Sequence, residues 1–341
     1  MKTGVSYFSS RDIRHAAEDL RDISGNGCNY VVHTFSEADM QYYKGSMRKI
    51  IEKSAEAGLE VRMDPWGVAG LFGGEAYSYF VAKNLGVRQI TSDGRSVPLA
   101  CPNNPEARQF LKKWVDEVAD IGAKSLFWDE PHFYEPHWAG DRDNKTWGCR
   151  CLYCQSIFEQ RFKYEMPEAY RQDIEEFKED SLVFFVEELC DYARSKGLKN
   201  SVCLLPIQSH LAGKFWDRIA AIGSLDNIGT DPYWIGLKKA DEKFDMENYI
   251  RGFCRKVSSL ARTYGKDCHI WVQNLSIPSG WEKDVEKAVD LIYAEGIRDI
   301  AAWSYHGTSS MSGLSCDDPG LVWKVLGESY KRTHERSKGE T

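Results

Sequence analysis

Eight short apolar runs, each followed by an amphipathic stretch, recur along the whole chain. They cover residues 4–8, 30–35, 59–63, 125–128, 201–206, 228–230, 269–272 and 299–303. These runs are rich in β-branched and aromatic residues, and most follow a Gly or Asn turn, as strands do. The stretches between them carry helical spacing. Phe110, Trp114, Val118 and Ile121 recur after Pro105, and Met47, Ile50, Ile51 and Ala55 recur before Gly58. Pro at a helix start and Gly at its stop fit the usual boundary chemistry. Strand–helix alternation implies a parallel sheet covered by helices. Eight such units imply closure into a (β/α)8 TIM barrel, and 341 residues suit one barrel with long loops.

The expected organisation is a single barrel domain over residues 1–331. Long loops follow the third and fourth strands, at 66–95 and 132–147, and long loops in compact domains usually serve function. Residues 332–341 are densely charged and read as a frayed tail. The net charge is −7, with no basic stripe, which argues against a nucleic-acid partner. No stretch is apolar and long enough to cross a bilayer, and the N-terminus lacks a secretory apolar run. A cytoplasmic location is therefore expected. The oligomeric state is left open.

Ten cysteines without an export signal point to reduced thiols or metal ligands rather than disulfides. Cys28, Cys190, Cys203, Cys254 and Cys268 lie in or beside apolar segments and read as small core residues. Four others are grouped differently. Cys101 opens a Cys-Pro-Asn-Asn-Pro run, and Cys149, Cys151 and Cys154 form a C-x-C-x-x-C run after the fourth strand. Four soft ligands of this kind suit a structural zinc. No catalytic cofactor is expected.

Barrel chemistry sits at the C-terminal ends of the strands. Those ends carry Tyr7, His33, Asp64, Trp66, Asp129, Glu130, Asp231, Tyr233, Trp234, Gln273, Asn274, Trp303, Tyr305 and His306. Carboxylates and amides hold sugar hydroxyls while aromatic faces stack on sugar rings, so the expected partner is a carbohydrate. The plain alternative for any single Trp or His in this set is a structural residue. Phosphate recognition would want Gly-rich turns with Lys or Arg, and that signal is absent.

Glycosidic cleavage usually takes two carboxyl groups. Glu130, between an apolar strand and Pro131, is the candidate acid, because partial desolvation raises a carboxyl pKa. Its partner is Asp231 or Asp129. Consecutive strand residues point opposite ways, so Asp129 and Glu130 share the cleft only if the strand ends between them. A catalytic divalent ion on His33, Asp64, Asp231 and His306 is the rival use of these groups. Their scattered positions give it no ligand spacing.

The run Leu99-Ala100-Cys101-Pro102-Asn103-Asn104-Pro105-Glu106-Ala107-Arg108 resembles a stretch of the zinc-containing β-galactosidases of glycoside hydrolase family forty-two. In that family a strand-four Asn-Glu is followed by C-x-C-x-x-C and an aromatic-rich helix. Here the corresponding residues are Asp129-Glu130, then Cys149, Cys151 and Cys154, then Phe158 and Phe162. The strand-six Asp231-Pro232-Tyr233 resembles the family's Asp-x-Tyr. The resemblance implies a glycosidase with Glu130 as acid/base and zinc on Cys101, Cys149, Cys151 and Cys154. Two departures stand out. Asp129 replaces the family's Asn, and strand seven has Gln273 and Asn274 where the nucleophilic Glu would stand. The expected function is cleavage of a glycosidic bond. The alternative is a catalytically silent barrel that binds saccharide.

Overall fold

The computed structural model of the protein describes residues 1–73, 77–136 and 146–340. In chain order its strands are β1 (Lys2–Tyr7), β2 (Tyr30–Thr34), β3 (Glu60–Asp64), β4 (Arg88–Ile90), β5 (Ser96–Ala100), β6 (Ser125–Asp129), β7 (Lys199–Leu204), β8 (Asn227–Thr230), β9 (Asp267–Gln273) and β10 (Asp299–Trp303). Eight of them close in the order β1-β10-β9-β8-β7-β6-β3-β2, every pair parallel. The fold is the (β/α)8 TIM barrel, and each expected strand is present with its ends moved by a residue or two. The helix Pro105–Asp120 shows why the local sequence folds so. Asn104 caps it by accepting from the amides of Glu106 and Ala107, and Pro105 occupies the first turn. Leu111, Trp114, Val115 and Val118 then pack on the barrel. No described helix is long and apolar enough to cross a membrane.

Both faces of each barrel strand are buried. Outward residues such as Val5, Val31, Leu126, Val202, Ile228 and Val272 pack against the helices. Inside, Tyr30, Val32, Phe127, Cys203, Trp271 and Ala301 form a compact central layer. Below it lies a polar plug. Arg62 donates to Asp299 at 2.6 Å, Tyr30 Oη donates to the same carboxylate at 2.7 Å, and Asn227 joins it at 3.2 Å. Burial pushes the Asp299 carboxyl up, but the Arg62 guanidinium and its neighbours hold it below the ordinary value. This filled floor confines any cleft to the opposite, C-terminal mouth.

Two expectations about loops are corrected. The segment after β3 is not a plain loop, because it contains the helix Tyr79–Lys83 and the antiparallel β4–β5 hairpin. Only its start reaches the mouth. In the second long loop, residues 137–145 lie outside the described residues. The charged tail is not frayed either. The helix Pro319–Gly339 runs through it. Val322, Leu326, Tyr330 and Thr333 keep one face of that helix buried, Arg332 donates to Glu286 at 2.7 Å, and His334 Nε2 lies 2.8 Å from Thr3 Oγ1. The charges occupy the outer face of an amphipathic helix.

Candidate active site

A cleft of about 540 Å³ opens at the C-terminal mouth, and four acids line it: Asp64, Asp129, Glu130 and Asp231. Asp64 ends β3 and Asp129 ends β6. Glu130 follows with φ +44°, in the left-handed region. That turn ends the alternation, so two consecutive residues face one cleft. A non-glycine residue held there costs about 1–2 kcal/mol. The surroundings fix it: the Glu130 amide donates to the Cys203 carbonyl at 3.0 Å, and the Gly73 amide donates to the Asp129 carbonyl at 2.9 Å. Gly73 itself has φ +60°, and a Cβ there would lie 2.2 Å from Trp66 Cδ1 and 2.6 Å from Asp129 Oδ2. The indole and the carboxylate therefore meet at one point, and only glycine fits behind them.

All four carboxyls are pushed well above their ordinary values, with burial the largest cause in each. The next cause is always another acid: Asp129 acts on Asp64 and Asp231, Glu130 on Asp129, and Asp231 on Glu130. Among the described residues lining the cleft, none is Lys, Arg or His. Glu130 and Asp231 are hydrogen-bonded to each other, and that contact raises Glu130 while lowering Asp231. That asymmetry favours a proton on Glu130 over one on Asp231. Like-charged carboxyls in contact share a proton rather than both ionise.

The walls are aromatic. Phe8 sets its edge against Trp66 at 5.1 Å and against Trp303 at 5.0 Å, tying the two indoles together across the mouth. Trp271 packs on Phe127 at 5.0 Å at the cleft floor, and Tyr233 stands beside Asp231. Burial keeps the Tyr233 phenol protonated well past its usual range.

Of the residues selected from sequence, Asp64, Trp66, Asp129, Glu130, Asp231, Tyr233 and Trp303 converge on this cleft. Seven others do not line it. Tyr7 and His33 are paired across β1 and β2 and point outward. Tyr7 Oη donates to Asp19 at 2.6 Å, and His33 Nε2 lies 2.8 Å from Ser54 Oγ. Burial lowers His33 to about 3. Trp234 is in the core at 1% exposure. Gln273 Oε1 accepts from the amides of Trp234 and Ile235, and Asn274 Nδ2 donates to the Ser304 carbonyl at 2.7 Å. Tyr305 Oη donates to Asp19 and Asp22, and His306 Nδ1 lies 3.1 Å from Ser309 Oγ. The rival metal set is broken by the same placement, since His33 and His306 do not reach Asp64 and Asp231. Sequence reasoning missed Phe127, Cys203 and Trp271, which share the inward alternation of their strands; Met311 and Leu314, from the loop after β10, gave no signal.

Away from this cleft, the four selected thiols come together. The Sγ atoms of Cys101, Cys149, Cys151 and Cys154 all lie within 4.8 Å of one another, and all four residues are buried. Cys101 is 3.3 Å from Cys154 and 3.6 Å from Cys151. Sulfurs held 2.3 Å from a tetrahedral centre would be roughly 3.8 Å apart, so the set fits one soft metal ion with no open position. N–H groups aim at the sulfurs, as thiolate ligands require: Ile90 at Cys149, Asn103 at Cys101 and the Asn103 amide at Cys154, each at 3.3–3.4 Å. The cluster ties the β4–β5 hairpin to the helix Leu152–Phe162.

No protein-family model matches the sequence, and no curated protein matches it. Solved structures do match in shape. The endo-1,4-beta-mannanase from Rhizomucor miehei is 12% identical, with a TM-score of 0.64 over 98% of this chain and 95% of its own. GH5_18 from Streptomyces cattleya, in complex with GlcNAc, is 10% identical, with a TM-score of 0.59 over 98% and 80%. The D-allulose 3-epimerase from Methylomonas sp. is 11% identical, with a TM-score of 0.52 over 98% of both chains. At such identities the likeness fixes the fold: this chain is a TIM barrel of the shape used by glycoside hydrolases and sugar epimerases alike.

Proposed function

We propose that this protein cleaves a glycosidic bond, with Glu130 as the proton donor. The observation that carries the reading is the aromatic-walled cleft at the barrel mouth, which gathers Glu130 with three other acids and there pushes its carboxyl well above the ordinary value. A general acid must be protonated at working pH and positioned beside its substrate, and burial plus a like-charged neighbour achieve the first. Trp66 and Trp303 offer flat faces for a sugar ring. The similar barrels include enzymes of the same class by their descriptions, a mannanase among them.

The roles divide as follows. Glu130 protonates the departing oxygen. Asp231 helps keep that proton in place, because its contact and charge both raise the Glu130 carboxyl. We assign the second carboxylate to Asp129, which the Glu130 turn leaves facing the same cleft. To attack the anomeric carbon or activate water there it must first lose its proton, which burial and the Glu130 charge oppose in the empty cleft. Zinc on Cys101, Cys149, Cys151 and Cys154 would staple the loops beside the mouth, as in the family-forty-two β-galactosidases that the cysteine spacing resembles. It would take no part in the chemistry.

A saccharide-binding barrel without turnover is the second reading. One observation favours it: β9 ends in Gln273, whose side chain is spent on two backbone amides, so no carboxylate stands there. A panel of aryl glycosides separates the two readings. Release of aryl alcohol, with product anomers followed by NMR, supports cleavage. Saturable binding of saccharide without release on any member supports the silent barrel.

A further inference from the structure

The cleft has an unusual charge balance for a sugar site. Its four acids have no basic partner among the described residues that line it. Two of the acids keep a buried oxygen without a partner, Asp64 Oδ1 and Asp231 Oδ1, and Asp64 is the more buried of the two. Asp64 is 2% exposed, and its Oδ1 is buried with no hydrogen bond. A neutral sugar offers that oxygen only a hydroxyl and leaves the buried carboxyls in their protonated form. A cation would supply both a donor and the positive charge that lets a buried carboxyl ionise, and charge-assisted hydrogen bonds are the stronger kind. The aromatic wall suits a cation too. Trp66 Cδ1 and Asp129 Oδ2 crowd the same point behind Gly73, so an indole and a carboxylate face one spot.

We propose that the saccharide accepted here carries a protonated amino group, held by Asp64 beside the indole of Trp66. The inference rests on the glycoside reading of the cleft and narrows it to amino sugars. Burial keeps the empty Asp64 carboxyl neutral, and a bound ammonium would draw it into its ionised form.

The test is a binding comparison on the full chain. D-glucosamine, D-galactosamine and D-mannosamine are titrated against their parent hexoses and their N-acetyl forms, at pH 6.5 and fixed ionic strength, by calorimetry. The expected result is that at least one amino sugar binds about ten-fold more tightly than its parent and its N-acetyl form. Asp64→Asn should bring that preference close to unity, and Asp129→Asn should weaken it. The wild-type comparison decides even if neither variant folds. Parent hexoses binding within about two-fold of every amino sugar, or no amino sugar binding at all, would overturn the proposal. If amino sugars are preferred but no glycoside is ever cleaved, the hydrolase reading fails and this inference stands.

Discussion

Replacing Asp64 by Asn should make the protein more stable, and by an amount that grows with pH. Asp64 is 2% exposed, its Oδ1 has no hydrogen-bond partner, and burial with the nearby Asp129 charge pushes its pKa well up. In the unfolded chain an exposed Asp ionises at about pH 3.9. Above that pH the folded state binds one more proton than the unfolded state, so stability falls as pH rises. The slope is about 1.4 kcal/mol per pH unit for one carboxyl until its folded pKa is passed. Asn has nearly the same shape and does not titrate. Between pH 5 and pH 7 the variant should therefore gain up to about 2.7 kcal/mol on the wild type. His33, His132 and His269 are lowered by burial to about 3, 4 and 3, and they weaken the fold at acid pH. They do so in both proteins and cancel in the difference. Urea unfolding followed by tryptophan fluorescence at pH 5, 6 and 7 measures it. A difference that stays flat, or shrinks with pH, would refute the claim that this cleft stores neutral carboxyls.

Asp231→Asn should remove the charge that helps keep Glu130 protonated. Activity that needs the Glu130 proton would then decline at a lower pH than in the wild type, as a pH–rate profile would show. Gly73→Ala should push a methyl into Trp66 and strain a left-handed turn, costing about 1–2 kcal/mol of stability and most saccharide affinity, read by thermal unfolding and calorimetry. Native mass spectrometry of the reduced protein should show one zinc per chain, with X-ray absorption giving Zn–S distances of about 2.3 Å. Cys101→Ser should lose that ion and speed proteolysis of the β4–β5 hairpin.

The barrel was legible because its strands are short β-branched and aromatic runs set between helical stretches. What the runs did not reveal was which side of each strand faces the axis. In a barrel both sides are buried, so there is no polar face to mark the outside. Tyr7 and His33 look like mouth residues in sequence, yet both belong to the outward face and bond to helices. Asp64, Asp129 and Asp231 fall on the inward face. Glu130 joins them only because the chain turns left-handed, a possibility that the sequence allowed without deciding. Trp271 was readable in principle, lying four residues after Asp267 on the inward alternation. The β4–β5 hairpin was not, because it leans on a distant partner: Ile90 donates to the Cys149 sulfur, some sixty residues away in sequence. The cysteine cluster was the most legible feature of all, since four thiols spaced in this way have few other uses.

The central claim is that Glu130 delivers a proton to a departing glycosidic oxygen. A series of aryl glycosides with progressively poorer leaving groups tests it directly, comparing wild type with Glu130→Gln. The account predicts a loss that steepens along the series, small for the most acidic phenol and about 10²–10⁴-fold for the least. An equal loss across the series, or none, would contradict it and leave Glu130 a binding group.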